Sequence, residues 1–269
     1  MINVDNFLSI GKQHKVCEDY IISNSKPIPY VILSDGCSSS KDTDMGARII
    51  CHLAKQFIKY RRLEDISGIV PTDTYEKLGS WVIHNAENIA RGMGLDKTCL
   101  DATLIVLFSI GEKAYVYVYG DGLVIYIDNK NVKKFYEISY SNNAPYYLSY
   151  LIDPFRDDLY YDMKNYKSII FNKIEGNVKE EDNSSYDNPT SFIFSLEEYS
   201  HILISSDGLG SFINKNNFER EDLSLIINEF TLFKNTKGEF IKRRSKKALK
   251  DIEAQNSDDI SIGGFYIEN

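Results

Sequence analysis

Apolar and polar positions follow two rhythms along this chain, and the switches between them predict its elements. Segments 2–9, 19–24 and 29–34 read as short strands, the first two flanking a polar loop at 11–16. Over 43–61, the apolar pairs Ile49/Ile50, Leu53/Ala54 and Phe57/Ile58 recur at i and i+4, which predicts a helix with one buried stripe. Val70-Pro71-Thr72 stops and restarts the chain. A second helix is predicted over 74–92, with Tyr75, Leu78, Val82, Ala86, Ile89 and Met93 on one face and Thr72 or Asp73 as its N-cap.

From Ala102 to Ile138 the period falls to two. Ala114, Val116 and Val118 alternate with Tyr115, Tyr117 and Tyr119. Turns at Gly111-Glu112-Lys113, Gly120-Asp121-Gly122 and Asp128-Asn129-Lys130-Asn131 divide an antiparallel meander of about four strands. The tyrosine-rich stretch 139–166 has no clean period, and the polar stretch 175–190 reads as an exposed loop. Strands follow at 191–196 and 201–206, helices at 219–229 and 238–254, and a last strand at 259–267. No repeat or linker divides the chain, so one domain over 1–269 is expected. The order is not the βαβ alternation of a parallel sheet. It suits an α+β domain of two antiparallel sheets covered by helices.

Composition narrows the function. The 269 residues carry a net charge of −8, which argues against sequence-independent nucleic-acid binding. Four cysteines, Cys17, Cys37, Cys51 and Cys99, are too sparse to staple such a chain and suggest a reducing compartment. No apolar run approaches the ~20 residues that span a bilayer, and the N-terminus lacks the regions of a signal peptide. A cytoplasmic protein without a membrane partner is expected.

The candidate chemistry lies in acids at predicted strand ends. Tyr30-Val31-Ile32-Leu33 runs into Ser34-Asp35-Gly36, and His201-Ile202-Leu203-Ile204-Ser205 runs into Ser206-Asp207-Gly208. Asp258-Asp259 opens the last strand, Glu18-Asp19 opens the second, and Asp121 sits in a Gly-Asp-Gly turn. Carboxylates without nearby His or Cys favour magnesium, manganese or calcium. A cluster of them can hold two cations that lower the pKa of a shared water and aim it at phosphorus. Phosphoester hydrolysis is the reaction these residues suggest.

The ordered set Glu18-Asp19, Ser34-Asp35-Gly36, Asp101-Ala102-Thr103-Leu104, Gly120-Asp121-Gly122, Ser206-Asp207-Gly208-Leu209 and Asp258-Asp259-Ile260-Ser261-Ile262 resembles the metal-dependent protein phosphatase family, protein phosphatase 2C. The resemblance implies a four-layer α-β-β-α sandwich. It also implies hydrolysis of phosphoserine and phosphothreonine by a water bridged between two manganese or magnesium ions. In that family's pattern Asp35 bridges both ions, the backbone of Gly36 contacts one, and Asp207 and Asp258 ligate the other. Glu18 and Asp19 hold metal-bound waters, and Asp121 binds a third, weaker ion. The implied partner is a phosphoprotein, with a cognate serine/threonine kinase.

Two positions depart from that pattern, and the first points to the family's bacterial branch. Where animal members place a phosphate-gripping Arg, this chain has His14, which leaves capture to His14 or Lys15. Where they place a His after Asp-Gly as general acid, it has Cys37, and His14 is the candidate substitute. Competing readings are a catalytically weak or inactive regulatory member that binds phosphoproteins, and a small-molecule phosphatase on the same scaffold. Residues 139–190 are a candidate flap beside the site. The basic run Lys242-Arg243-Arg244-Ser245-Lys246-Lys247 reads as a solvated helix face.

Overall fold

The computed structural model describes residues 1–60, 71–174 and 178–268. Three strands, β1 (Ile2–Ser9), β2 (Tyr20–Asn24) and β3 (Tyr30–Ser34), precede two helices, α1 (Thr43–Tyr60) and α2 (Pro71–Gly92). Strands β4 (Leu104–Ile110), β5 (Lys113–Tyr119), β6 (Gly122–Asp128) and β7 (Lys133–Tyr140) follow. Helix α3 (Pro154–Asp162) leads into β8 (Tyr166–Lys173), β9 (Val178–Ser185), β10 (Thr190–Ser195), β11 (Tyr199–Ser205) and β12 (Phe212–Asn214). The chain closes with α4 (Leu223–Phe230), α5 (Phe240–Asp251), β13 (Ala254–Asn256) and β14 (Ile260–Ile267).

Two antiparallel sheets face each other, one ordered β1-β14-β11-β6-β7-β8-β9 and the other β10-β5-β4-β3-β2. Strand β3 shows why four layers form. All five of its residues are buried, because successive side chains feed opposite faces. Val31 and Leu33 join Ile105, Val116, Ile202 and Phe265 between the sheets. Tyr30 and Ile32 turn outward to meet Ile50, Phe57, Val82 and Ala86 of α1 and α2. On the other side Ile226, Phe230, Phe240 and Ala248 of α4 and α5 cover Ile125, Leu203 and Ile262. Each large aliphatic chain so buried contributes about 1.5–3 kcal/mol.

Three local expectations change. The meander is real as strands but not as one sheet. β4 and β5 pair in the smaller sheet, β6 and β7 in the larger, so Gly120-Asp121-Gly122 is a crossover and not a hairpin turn. The polar stretch read as a loop contains β9, which pairs with β8 along the sheet edge through backbone groups. Helix α2 begins at Pro71, a residue suited to the first helical position, so Asp73 lies in its first turn rather than capping it. Val70 and residue 61 lie outside the described residues. In the basic run, Arg244 is buried and binds Glu229 Oε2 at 2.6 Å, while Ala248 packs inward as the helical spacing requires. Among the described residues no helix is long and apolar enough to cross a membrane.

Candidate metal centre

The strand ends converge at one rim of the sandwich. A cleft of about 280 Å³ there is lined by His14, Asp35, Gly36, Asp121, Asp207 and Asp258, with Cys37, Ser38, Ser39 and Thr103. Asn143, Pro145 and Tyr147 from the tyrosine-rich stretch complete it.

The serine of each Ser-Asp-Gly ties its strand end to a neighbouring one. Ser34 Oγ donates to the Thr103 carbonyl at 2.5 Å, and the Asp35 amide donates to Thr103 Oγ1 at 3.0 Å. The Thr103 amide in turn donates to the Asp35 carbonyl at 2.8 Å, so the ends of β3 and β4 lock together. Ser206 Oγ donates to Asp19 Oδ2 at 2.8 Å and accepts from the Ser261 amide at 3.1 Å. That one hydroxyl ties the end of β11 to the starts of β2 and β14.

Two glycine positions are also structural. A Cβ on Gly208 would stand 1.7 Å from the Asp259 carbonyl oxygen, so only glycine lets the Asp207 and Asp258 strand ends meet. Gly120 and Gly122 hold φ of +90° and +138° on either side of Asp121, a backbone path that carries the chain between sheets and turns Asp121 into the cleft.

The acidic pairs divide in two. Asp258 faces the cleft, whereas Asp259 is buried and accepts from the Gly11 amide at 2.7 Å and the Glu18 amide at 2.6 Å. Asp259 therefore pins the polar loop at 11–16 against the last strand. Glu18 and Asp19 stand behind the lining. Glu18 accepts from Thr43 Oγ1 at 3.2 Å, and Asp19 Oδ1 is buried with no partner. His14 Nε2 is 3.4 Å from Asp258 Oδ1, and its Nδ1 is 3.2 Å from Asp259 Oδ2. Burial pulls the His14 imidazole down, but contact with Asp259 and the charges of Asp258 and Glu18 outweigh it and raise its pKa.

Burial, followed by the charges of Asp19, Asp207, Asp121 and Asp258, pushes the Asp35 carboxyl well above the usual carboxylate range. Burial and then Asp207 and Asp258 do the same to Asp121. Asp207 is open to the cleft mouth yet walled by protein on its other sides. Its desolvation and Asp258 raise it against the opposing effects of Asp35 and the Arg220 guanidinium. Among the described residues no group of three or more His, Cys, Asp or Glu is arranged to hold an ion as it stands. The carboxylates of Asp35, Asp121, Asp207 and Asp258, a buried unpaired Asp19 oxygen and no Lys or Arg among the described lining residues fit hard divalent cations.

Sequence reasoning placed Asp101 with the acidic set, but it does not line the cleft. Both its oxygens accept from Arg156 Nη2, at 2.9 and 2.8 Å, and it also accepts from Ser149 Oγ at 2.6 Å and Ser40 Oγ at 2.8 Å. It thus joins the loop after Gly36 to the segment bearing Tyr147. Asp259, Tyr147 and Arg156 were not foreseen. Only the doubling of Asp258-Asp259 carried a signal.

The carboxylate cleft thus opens at the rim of a sandwich of two antiparallel sheets covered by helices. The chain belongs to the protein phosphatase 2C family, whose model matches residues 10–252. No curated protein sequence matches it. Similar solved structures include a bacterial serine phosphatase bearing a point mutation, 15% identical with a TM-score of 0.57 over 100% of this chain and 99% of that one. Serine/threonine phosphatase Stp1 from Staphylococcus aureus is 14% identical with a TM-score of 0.54, over 100% of this chain and 96% of that one. The S. agalactiae serine/threonine phosphatase is 14% identical with a TM-score of 0.54 over 100% of both chains. At such identity the likeness is one of fold.

Proposed function

We propose that this protein is a metal-dependent phosphatase acting on phosphoserine and phosphothreonine of proteins in the cytoplasm. The observation that carries this is one cleft gathering Asp35, Asp121, Asp207 and Asp258, with no Lys or Arg among its described lining residues. Asp35, Asp207, Asp258 and the Gly36 carbonyl would hold two manganese or magnesium ions, and Asp121 a third. Glu18 and Asp19 would order the water around them. Bound there, the ions supply positive charge toward the phosphoryl oxygens and lower the pKa of a water for direct attack at phosphorus.

The chain's own groups do the rest. Thr103, itself held by Ser34, accepts from the Asp35 amide, and Ser206 donates to Asp19. The Tyr147 phenol, raised above its ordinary pKa by burial and then by Asp121, stays protonated at the cleft wall. His14, fixed by Asp258 and Asp259, is the group in the lining suited to protonate the departing serine or threonine oxygen. Asn143, Pro145 and Tyr147 bring the 139–190 segment to the site, which supports its role in substrate choice.

Two predictions test this. Wild type should release phosphate from phosphothreonine and phosphoserine peptides with manganese and not from a phosphotyrosine peptide. Activity confined to a small aryl phosphate would favour the small-molecule reading. His14→Ala should lower turnover of a phosphothreonine peptide by about 10²-fold. It should barely change turnover of nitrophenyl phosphate, whose leaving group needs no proton. Equal losses on both substrates, or no loss, would remove His14 as the acid. The absence of Lys or Arg from the described lining favours one competing reading, a non-catalytic member, and manganese-dependent turnover decides against it.

A further inference from the structure

A second space of about 690 Å³ opens beside the carboxylate cleft, and the phosphatase reading leaves it unused. The two share a wall. Gly120 lines the groove and the next residue, Asp121, lines the cleft. Tyr146 lines the groove, while Pro145 and Tyr147 line the cleft. Consecutive Cα atoms are about 3.8 Å apart, so the two spaces adjoin along both chain segments. An extended peptide advances about 3.3 Å per residue. With its phosphorylated residue in the cleft, it would lay side chains a few positions away in the groove.

The groove's chemistry selects the side chain. Glu76, Asp157 and Asp187 line it, and no Lys or Arg is among its described lining residues. Lys167 lies behind the wall with its ammonium on the Asn188 carbonyl, where burial lowers its pKa to about 8, so it offsets the acids only in part. His84, at the rim, is engaged through Nδ1 with the Ser80 carbonyl at 2.7 Å.

Five tyrosines also line it, beside Ser80, Leu148, Leu151 and Asn188, and the hydroxyls of four of them are committed, Tyr75 to the Val118 carbonyl at 2.9 Å. Tyr119 donates to the Tyr75 carbonyl at 2.6 Å, Tyr146 to Asp157 Oδ1 at 2.6 Å, and Tyr140 to the Tyr186 carbonyl at 3.4 Å. The Tyr75 and Tyr119 rings stack at 4.2 Å, and Tyr186 closes on Tyr146 at 4.9 Å. These walls are fixed before any ligand arrives, leaving ring surfaces and carboxylates to meet it. A planar cation suits both, since guanidinium stacks on tyrosine and pairs with carboxylate. The fold already uses that pairing where Arg156 lies 4.7 Å from the Tyr150 ring centre and binds Asp101.

We infer that this groove takes an arginine-bearing segment of the phosphoprotein, next to the phosphorylated residue. The inference rests on the phosphatase reading and names the substrate class for it. Its test measures binding of unphosphorylated, fluorescein-labelled threonine peptides in chelator and near-physiological salt. One peptide carries three flanking arginines, one three alanines and one three glutamates. Wild type should bind the arginine peptide about tenfold tighter than the alanine peptide, roughly 1.4 kcal/mol, and the glutamate peptide least.

Glu76 and Asp187 are both exposed. Glu76→Gln with Asp187→Asn should cut the arginine preference to below about threefold, and Glu76→Arg should cut it as well. A wild-type preference near one would overturn the inference. So would a preference unchanged in both variants, which would trace it to the molecule's net negative charge. Because turnover is not involved, these affinities hold whether or not the protein releases phosphate. A failed phosphatase reading shows separately, as no release from any substrate with manganese.

Discussion

Asp35→Asn should abolish manganese-dependent phosphate release, lowering kcat/KM by on the order of 10³-fold or more. No other side chain of the cleft meets so many of the rest. The charges of Asp19, Asp207, Asp121 and Asp258 all bear on the Asp35 carboxyl. The same substitution should act oppositely on stability. In chelator, the wild-type cleft keeps several carboxyls close together with no described Lys or Arg lining it. Replacing a carboxyl whose ionisation burial and its acidic neighbours disfavour should relieve about 1 kcal/mol and raise Tm by roughly 2–4 °C. Manganese should then raise Tm in wild type and not in the variant, because an ion that binds only the folded state stabilises it. A thermal melt with and without manganese reads both effects. A variant that is less stable in chelator and still shifted by manganese would contradict the assignment of Asp35.

The second large effect is expected at a residue that touches no substrate. Gly208→Ala should cost about 3 kcal/mol and lower Tm by roughly 6–12 °C in chelator. Its new Cβ would fall 1.7 Å from the Asp259 carbonyl oxygen, which is backbone and cannot rotate away. The strand ends must separate, taking Asp207 away from Asp258, so the manganese-induced rise in Tm should vanish too. Two residues on, Gly210→Ala is the control. A Cβ there meets nothing within 4 Å, and Tm should hold within about 1–2 °C. Equal tolerance of both substitutions would mean that the close approach at Gly208 is not what holds the site together.

The sequence carried much of this plan because its signals were local. The i, i+4 stripe of Ile50, Ala54 and Ile58 declared α1 and the face it buries. The all-apolar run of β3 declared a strand covered on both sides. The acids were legible because each sits at or beside a strand end, and Asp35, Asp121 and Asp207 also stand next to a glycine. What stayed hidden depends on partners distant in sequence. Nothing local says that β5 and β6 belong to different sheets, since Gly120-Asp121-Gly122 is equally good hairpin chemistry. Strand β9, Val178–Ser185, is acidic and polar because an edge strand pairs through its backbone and is spared an apolar face, so its composition mimics a loop. The different tasks of Asp258 and Asp259 are set by amides nearly the whole chain away, at Gly11 and Glu18. The burial of Arg244 against Glu229 likewise depends on how α5 meets α4 and not on the charge pattern of α5 alone.

The central claim is that the strand-end carboxylates form a working metal centre for phosphoester hydrolysis. The most direct measurement is phosphate release from a phosphothreonine peptide by wild type and Asp207→Asn, each with manganese and with chelator. Release by wild type in manganese, stopped by chelator and lost in Asp207→Asn, is the predicted result. Release that survives chelator, or that persists in Asp207→Asn, would contradict it.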